Sequence, residues 1–172
     1  RWTRMSSLSS GLLFLILALP FLGALVAPLS IIALGRFGSL ILACFPLSAL
    51  AILFQQSAQV QERVPILYGF DWIPAFGVRL SFRLDGLSFG FAFLILAIGV
   101  LVVLYSGGYM SKGTKRGRFF SFILMFMGSM LGLVLADDLV TLFVFWELTS
   151  ITSFLLIGFN HEKEAARRGA VQ

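Results

Sequence analysis

The chain is 172 residues long, 59% hydrophobic and 12% charged, with 19 phenylalanines, a share of apolar surface that no soluble domain can hide. The net charge of +5 sits in short clusters between apolar runs, as in the loops of a membrane protein, and does not read as a nucleic-acid surface. Cys44 is the single cysteine and His161 the single histidine, which excludes an internal disulfide framework, a CxxC motif, and any haem, iron–sulfur or zinc site. No cofactor and no metal are expected.

Crossing about 30 Å of hydrocarbon takes about 20 mostly apolar residues. Five stretches qualify: 8–34, 37–54, 86–108, 119–136 and 139–159. The first is too long for a removed signal peptide and lacks a clear small-residue cleavage site. Pro20 and Pro28 within it, and Pro46 in the second, are expected to kink their helices, which packing in a bundle tolerates. The second span is the shortest.

Residues 55–85 are polar and turn-rich and are read as non-helical. Within them "VRLSFRLDG" alternates strictly, with Val78, Leu80, Phe82 and Leu84 on one side and Arg79, Ser81, Arg83 and Asp85 on the other. Period-two alternation predicts a half-buried strand. "FDWIP" supplies a second arm and Gly77 a turn, giving a β-hairpin between the second and third spans; an extended loop is the alternative. Tyr68 and Trp72 suit the membrane interface, whereas Trp146 lies too deep for one. "YSGGYMSKGTKRGRF", from Tyr105 to Phe119, reads as the clearest loop.

Orientation follows from counting Lys and Arg on the two sides. With the N-terminus outside, the inner side holds Arg36, Lys112, Lys115, Arg116, Arg118, Lys163, Arg167 and Arg168, which is eight. The outer side holds Arg1, Arg4, Arg63, Arg79 and Arg83, which is five. The N-terminus and the hairpin are therefore expected outside. The chain starts at Arg1 with Met5 as its first methionine, and "HEKEAARRGAVQ" ends it without a terminating signal. Residues 1–172 are accordingly expected to be one membrane-domain fragment, the N-terminal part of a longer protein.

The fifth span, "LVTLFVFWELTSITSFLLIGF", carries an acid at mid-depth. Glu147 lies roughly 13 Å in at 1.5 Å per residue. A charge there costs on the order of 3 kcal/mol. Such a carboxylate is protonated, pairs with a cation, or faces a wet cavity. Ser150 follows at i+3 on the same face, and Thr149, Thr152 and Ser153 form an adjacent hydroxyl stripe, which favours a wetted group exchanging protons. Helix packing is the plainer reading of the hydroxyls. No Lys or Arg sits well inside an apolar run, so a partner for Glu147 is expected beyond Gln172 or on another subunit. Asp137 and Asp138 precede this helix as N-caps or, in the sharper reading, as attractors of cations at a pathway entrance. Asp85 before "GLS" invites the cap reading at the third span. Gly128, Ser129 and Gly132 are expected to offer close contact to other membrane subunits.

"LDGLS" followed by "LMFMGSMLGLVLADDLVTLFVFWELTSITSFLLIGF" resembles the A subunit of Mrp-type multisubunit sodium/proton antiporters, most specifically over 123–159. The antiporter-like membrane subunits of respiratory complex I are similar but more distant. The resemblance implies an all-α membrane fold that begins a bundle of inverted five-helix repeats. It places Glu147 at the family's proton-translocating glutamate, which works with a lysine two helices later. Asp137 stands at the family's acid before that helix, while Asp138 stands where Asn is frequent. The expectation is a plasma-membrane subunit exchanging protons for a monovalent cation, sodium foremost, in company with other membrane subunits and the lipid bilayer. A proton-translocating subunit of a complex I-type dehydrogenase or membrane hydrogenase is the second reading, and a mere membrane scaffold the third.

Overall fold

A computed structural model of the chain describes residues 2–62, 65–109 and 115–160. Five of its helices are long and apolar enough to cross a membrane. They are α1 (Trp2–Leu34), α2 (Gly38–Gln55), α4 (Gly86–Tyr109), α5 (Lys115–Leu135) and α6 (Leu139–Ile157); a short α3 (Ser57–Gln61) follows α2. The structure thus puts one helical turn inside the segment read as non-helical. Ser57–Gln61 contains no Gly or Pro, and good helix formers such as Ala and Gln let the chain resume after a break at Gln56. The loop read from Tyr105 to Phe119 is also shorter than expected, because α4 runs on to Tyr109 and α5 starts at Lys115. Arg116 explains part of this. Its guanidinium donates to the Gly107 carbonyl near the end of α4 and lies 5.8 Å from the Phe120 ring centre, so a buried cation satisfies one carbonyl of the helix's last turn.

Strands β1 (Ile66–Ile73) and β2 (Val78–Leu84) form the expected antiparallel hairpin, with Ile66 opposite Leu84 and Asp71 opposite Arg79. Gly77, at φ 66°, takes the left-handed conformation that closes the turn. The alternation is realised: Leu80, Phe82 and Leu84 are buried, while Arg79 and Arg83 are exposed.

α1 lies between α2 and α5, α4 closes the bundle against α2 and α5, and α6 packs on α5 and β2. The hairpin, the start of α4 and the α5–α6 link share one end of the bundle. The α1–α2 turn and the start of α5 share the opposite end. Lipid is as apolar as leucine, so these helices associate through close packing and hydrogen bonds more than through water exclusion. Two contacts show how. Gly117 of α5 sits so close to Pro28 that an added Cβ would come within 2.8 Å of the proline Cα. Pro28 has no N–H for the Ala24 carbonyl four residues back, and the Ser121 hydroxyl of α5 donates to that oxygen instead, at 2.7 Å.

The small residues of α5 are also spent inside the chain. Gly128 abuts the Phe21 ring, Gly132 receives the Phe145 ring, and Ser129 is fully buried with its hydroxyl on the Met125 carbonyl. They do not form the outward contact face expected from the sequence, because α5 runs between α1 and α6.

Candidate functional site around Glu147

α6 buries Thr141, Phe145 and Thr152. Spacings of four and seven put all three on the face that meets α5. The opposite stripe, Val140, Phe143, Glu147, Ser150, Ile151 and Phe154, is exposed. Glu147 therefore lies about 12 Å along the helix from Leu139 at 1.5 Å per residue, on a face turned away from the bundle. Among the described residues no ion pair or hydrogen bond engages it.

The hydroxyls around it are used locally. Thr149 donates to the Phe145 carbonyl at 2.8 Å, Ser150 to Trp146 at 3.1 Å, and Thr152 to Leu148 at 2.8 Å. Such back-bonding satisfies the proton of each hydroxyl while leaving its oxygen lone pairs available. Ser150 carries those lone pairs on the face of Glu147; Ser153 is half-buried.

Asp137 and Asp138 play different parts. Asp138 is the N-cap of α6: one carboxylate oxygen accepts the Thr141 N–H at 2.9 Å. The other accepts the Thr141 hydroxyl at 2.6 Å, the Ser81 hydroxyl at 2.5 Å and the Ser81 N–H at 3.2 Å. Burial pushes this carboxyl up, but the hydrogen bonds from Ser81 and Thr141 together outweigh it and hold it at about 2, below the usual 3.8. Asp137 is not a cap. Its carboxylate pairs with the Arg83 Nε at 2.9 Å, and its N–H donates to the Ser81 carbonyl at 2.9 Å. Phe82 also pairs with Ala136 in an isolated antiparallel bridge, so the α5–α6 link runs along the free edge of β2. Asp85 caps α4, accepting the Ser88 N–H at 2.9 Å and the Leu87 N–H at 3.1 Å, while the Ser88 hydroxyl accepts the Asp85 N–H. The Ser88 N–H foremost lowers its carboxyl below the usual value.

Ser81, Phe82 and Arg83 escaped the sequence reading as parts of this site. Their alternation told which side of a strand each occupies, but contacts across 57 residues of chain leave no periodic trace.

Comparison with known proteins is consistent with these features. The family described as "NADH-Ubiquinone oxidoreductase (complex I), chain 5 N-terminus" matches residues 72–120. A "Na(+)/H(+) antiporter subunit A1" of Staphylococcus haemolyticus is 43% identical over 165 residues, covering 93% of this chain and 20% of that protein. The subunit of the same name from Staphylococcus aureus strain JH9 is 50% identical over 105 residues, 61% of this chain and 13% of that one. In structure, a chain of the Mrp complex from Dietzia sp. DQ12-45-1b superposes with a TM-score of 0.77 at 35% identity, over 92% of this chain and 17% of that one. A chain of the membrane-bound sulfane sulfur reductase, an archaeal respiratory membrane complex, reaches 0.74 at 25% identity, over 91% and 24%. This chain is a multi-pass membrane protein whose 172 residues span about one fifth of the curated relatives it matches. In sequence and in fold it resembles the A subunit of an Mrp-type multisubunit sodium/proton antiporter, over that fifth of such a subunit's length.

Proposed function

We propose that this chain is the N-terminal part of the A subunit of a multisubunit sodium/proton antiporter of the plasma membrane, with Glu147 as its proton-carrying carboxylate. One observation carries the reading: a mid-helix acid stands on the face of α6 turned out of the bundle, in a chain that matches antiporter subunits along 93% of its length. A proton arriving from one side neutralises Glu147. Its release toward a lysine on a helix outside these 172 residues then couples to cation movement elsewhere in the complex. Ser150, Thr149 and Ser153 supply acceptor oxygens along the same stretch of helix. The carboxylates of Asp137 and Asp138 are committed to protein donors, which favours a supporting part over attraction of cations. The hairpin end faces outside and the end bearing Arg116 and Arg118 faces inside, as the Lys and Arg distribution favours. Partners are other membrane subunits, the lipid bilayer, protons and monovalent cations.

The test is Glu147→Ala in the full-length subunit, assayed for sodium-driven proton exchange in everted vesicles. Exchange should fall at least about 100-fold, the lower end of what a positioned proton-transfer group contributes, with assembly preserved. Glu147→Asp should keep part of the activity, because the carboxylate survives one methylene short. Wild-type exchange in Glu147→Ala removes the residue from the mechanism.

A redox-driven role is the second reading, favoured by the match of residues 72–120 and the likeness to the archaeal reductase. In it the same carboxylate moves protons in response to electron transfer in other subunits. Among the superposed structures, the greater identity to the Mrp complex, 35% against 25%, supports the first reading. Sodium-driven exchange without any electron donor separates the two.

A further inference from the structure

A helix that packs on the side of a bundle has two loose degrees of freedom. It can slide along its axis, and it can roll about it. α6 is such a helix, resting on α5 and β2. Sliding is opposed at its first turn, where Asp138 collects two donors from Ser81 of β2 and two from Thr141. Arg83 holds the neighbouring Asp137 at 2.9 Å.

Rolling is opposed one turn lower by Phe145. Its ring stands edge-on to Phe82 with centroids 5.6 Å apart, and Gly132 of α5 leaves the notch that it fills. A Cβ at position 132 would overlap that ring. Phe145 and Glu147 are two residues apart, or about 200° around the helix. Fixing the phenylalanine inward therefore sends the carboxylate outward. The ring contact continues across the hairpin: Phe82 stacks at 6.5 Å on Tyr68, which lies 5.3 Å from Phe14 of α1. β2 is itself anchored, since it runs directly into Asp85, the cap of α4.

Resting on the reading of Glu147 as a proton carrier, we propose that β2 is the positioning element for that carboxylate: Ser81 through Asp138 sets its depth, and Phe82 through Phe145 sets its rotation. The scale fits the task. A roll of about 20° moves a group ~5–6 Å from the helix axis by about 2 Å. Proton transfer needs roughly 2.6–3.2 Å between heavy atoms, so that displacement breaks the path. Among the described residues, the charged groups on the elements packed against α6 are Arg79 and Arg83 of β2, Asp137 and Asp138 of the link, and Arg116 and Arg118 at the far end of α5.

The experiment measures sodium-driven proton exchange against pH in everted vesicles, with the full-length subunit in its assembled complex. Asp138→Ala and Phe145→Leu should each lower exchange about tenfold or more per assembled complex and shift the pH profile, as misplacement by an ångström or two does. Asp138→Asn, which keeps a single acceptor oxygen where the carboxylate has two and so retains the Thr141 N–H or the Ser81 donors but not both, should give a rate and a profile between those of Asp138→Ala and wild type. Phe82→Leu combined with Phe145→Leu should lower exchange by less than the product of the two single effects, since the two rings share one contact. Ser81→Ala removes a single hydroxyl and decides the question should Asp138→Ala fail to assemble; it should move the profile in the same direction. Glu147→Gln in the same vesicles keeps the two ideas apart. If exchange persists there, the proton-carrier reading falls. If Glu147→Gln is inactive while Ser81→Ala and Asp138→Ala keep the wild-type profile per assembled complex, the positioning role alone is overturned.

Discussion

At the scale of single residues, the acids divide by what their oxygens touch. Asp138 gains hydrogen bonds on folding, and its carboxyl is held at about 2 against the usual 3.8. A group whose folded value is depressed contributes stability that is present above its unfolded value and is lost as pH falls toward the folded one. The contribution of Asp138 is thus complete above about pH 4 and drains away between about pH 4 and pH 2. Replacing an N-cap acid by alanine costs about 0.5–2 kcal/mol. In detergent-solubilised protein, Asp138→Ala should therefore unfold at lower temperature than wild type at pH 6, and the gap should narrow at pH 3. A gap of equal size at both values would mean that the carboxylate's charge is not what stabilises the cap. Glu147 shows the limit of sequence at this scale. Its depth follows from counting along the helix, but the side of α6 that faces outward depends on Phe145 finding Gly132 and Phe82.

Among elements, the proline-bearing helices are instructive. Pro28 announces a broken hydrogen bond at the Ala24 carbonyl, and nothing near it in sequence supplies a replacement. Ser121, 97 residues away, does so at 2.7 Å beside the Gly117–Pro28 approach. Ser121→Ala should cost about 0.6–2 kcal/mol, the span for interhelical hydrogen bonds in membrane proteins, measurable as earlier unfolding in a denaturing detergent titration. No loss would show that water or the helix itself satisfies the carbonyl equally well. The hairpin was legible because alternation in "VRLSFRL" has period two and the turn has a left-handed glycine at Gly77. Its attachment to the α5–α6 link was not legible, since the pairing of Phe82 with Ala136 joins segments of unlike pattern. The same holds for α5, whose Gly128 and Gly132 look like an outer contact face until α1 and α6 are seen to cover them.

For the whole molecule, the helices alternate in direction, so the hairpin and the α5–α6 link occupy one end while Arg116 and Arg118 lie toward the other. This arrangement makes the orientation testable at a single site. In a Cys44→Ala background, a cysteine at position 115 should resist impermeant thiol reagents added to whole cells and react in everted vesicles; labelling from outside would invert the proposed topology. By itself the sequence determined the membrane class, five apolar spans, the hairpin and the depth of the one mid-span acid. Those properties follow from composition and from periodicity within a few residues, because helix and strand geometry are local. Only the tertiary structure decided which way Glu147 faces, that Asp138 is tied to Ser81, and that Ser121 answers Pro28. Each of these is a contact between distant parts of the chain, fixed by how side chains of particular size and hydrogen-bonding capacity fit together once the helices are packed.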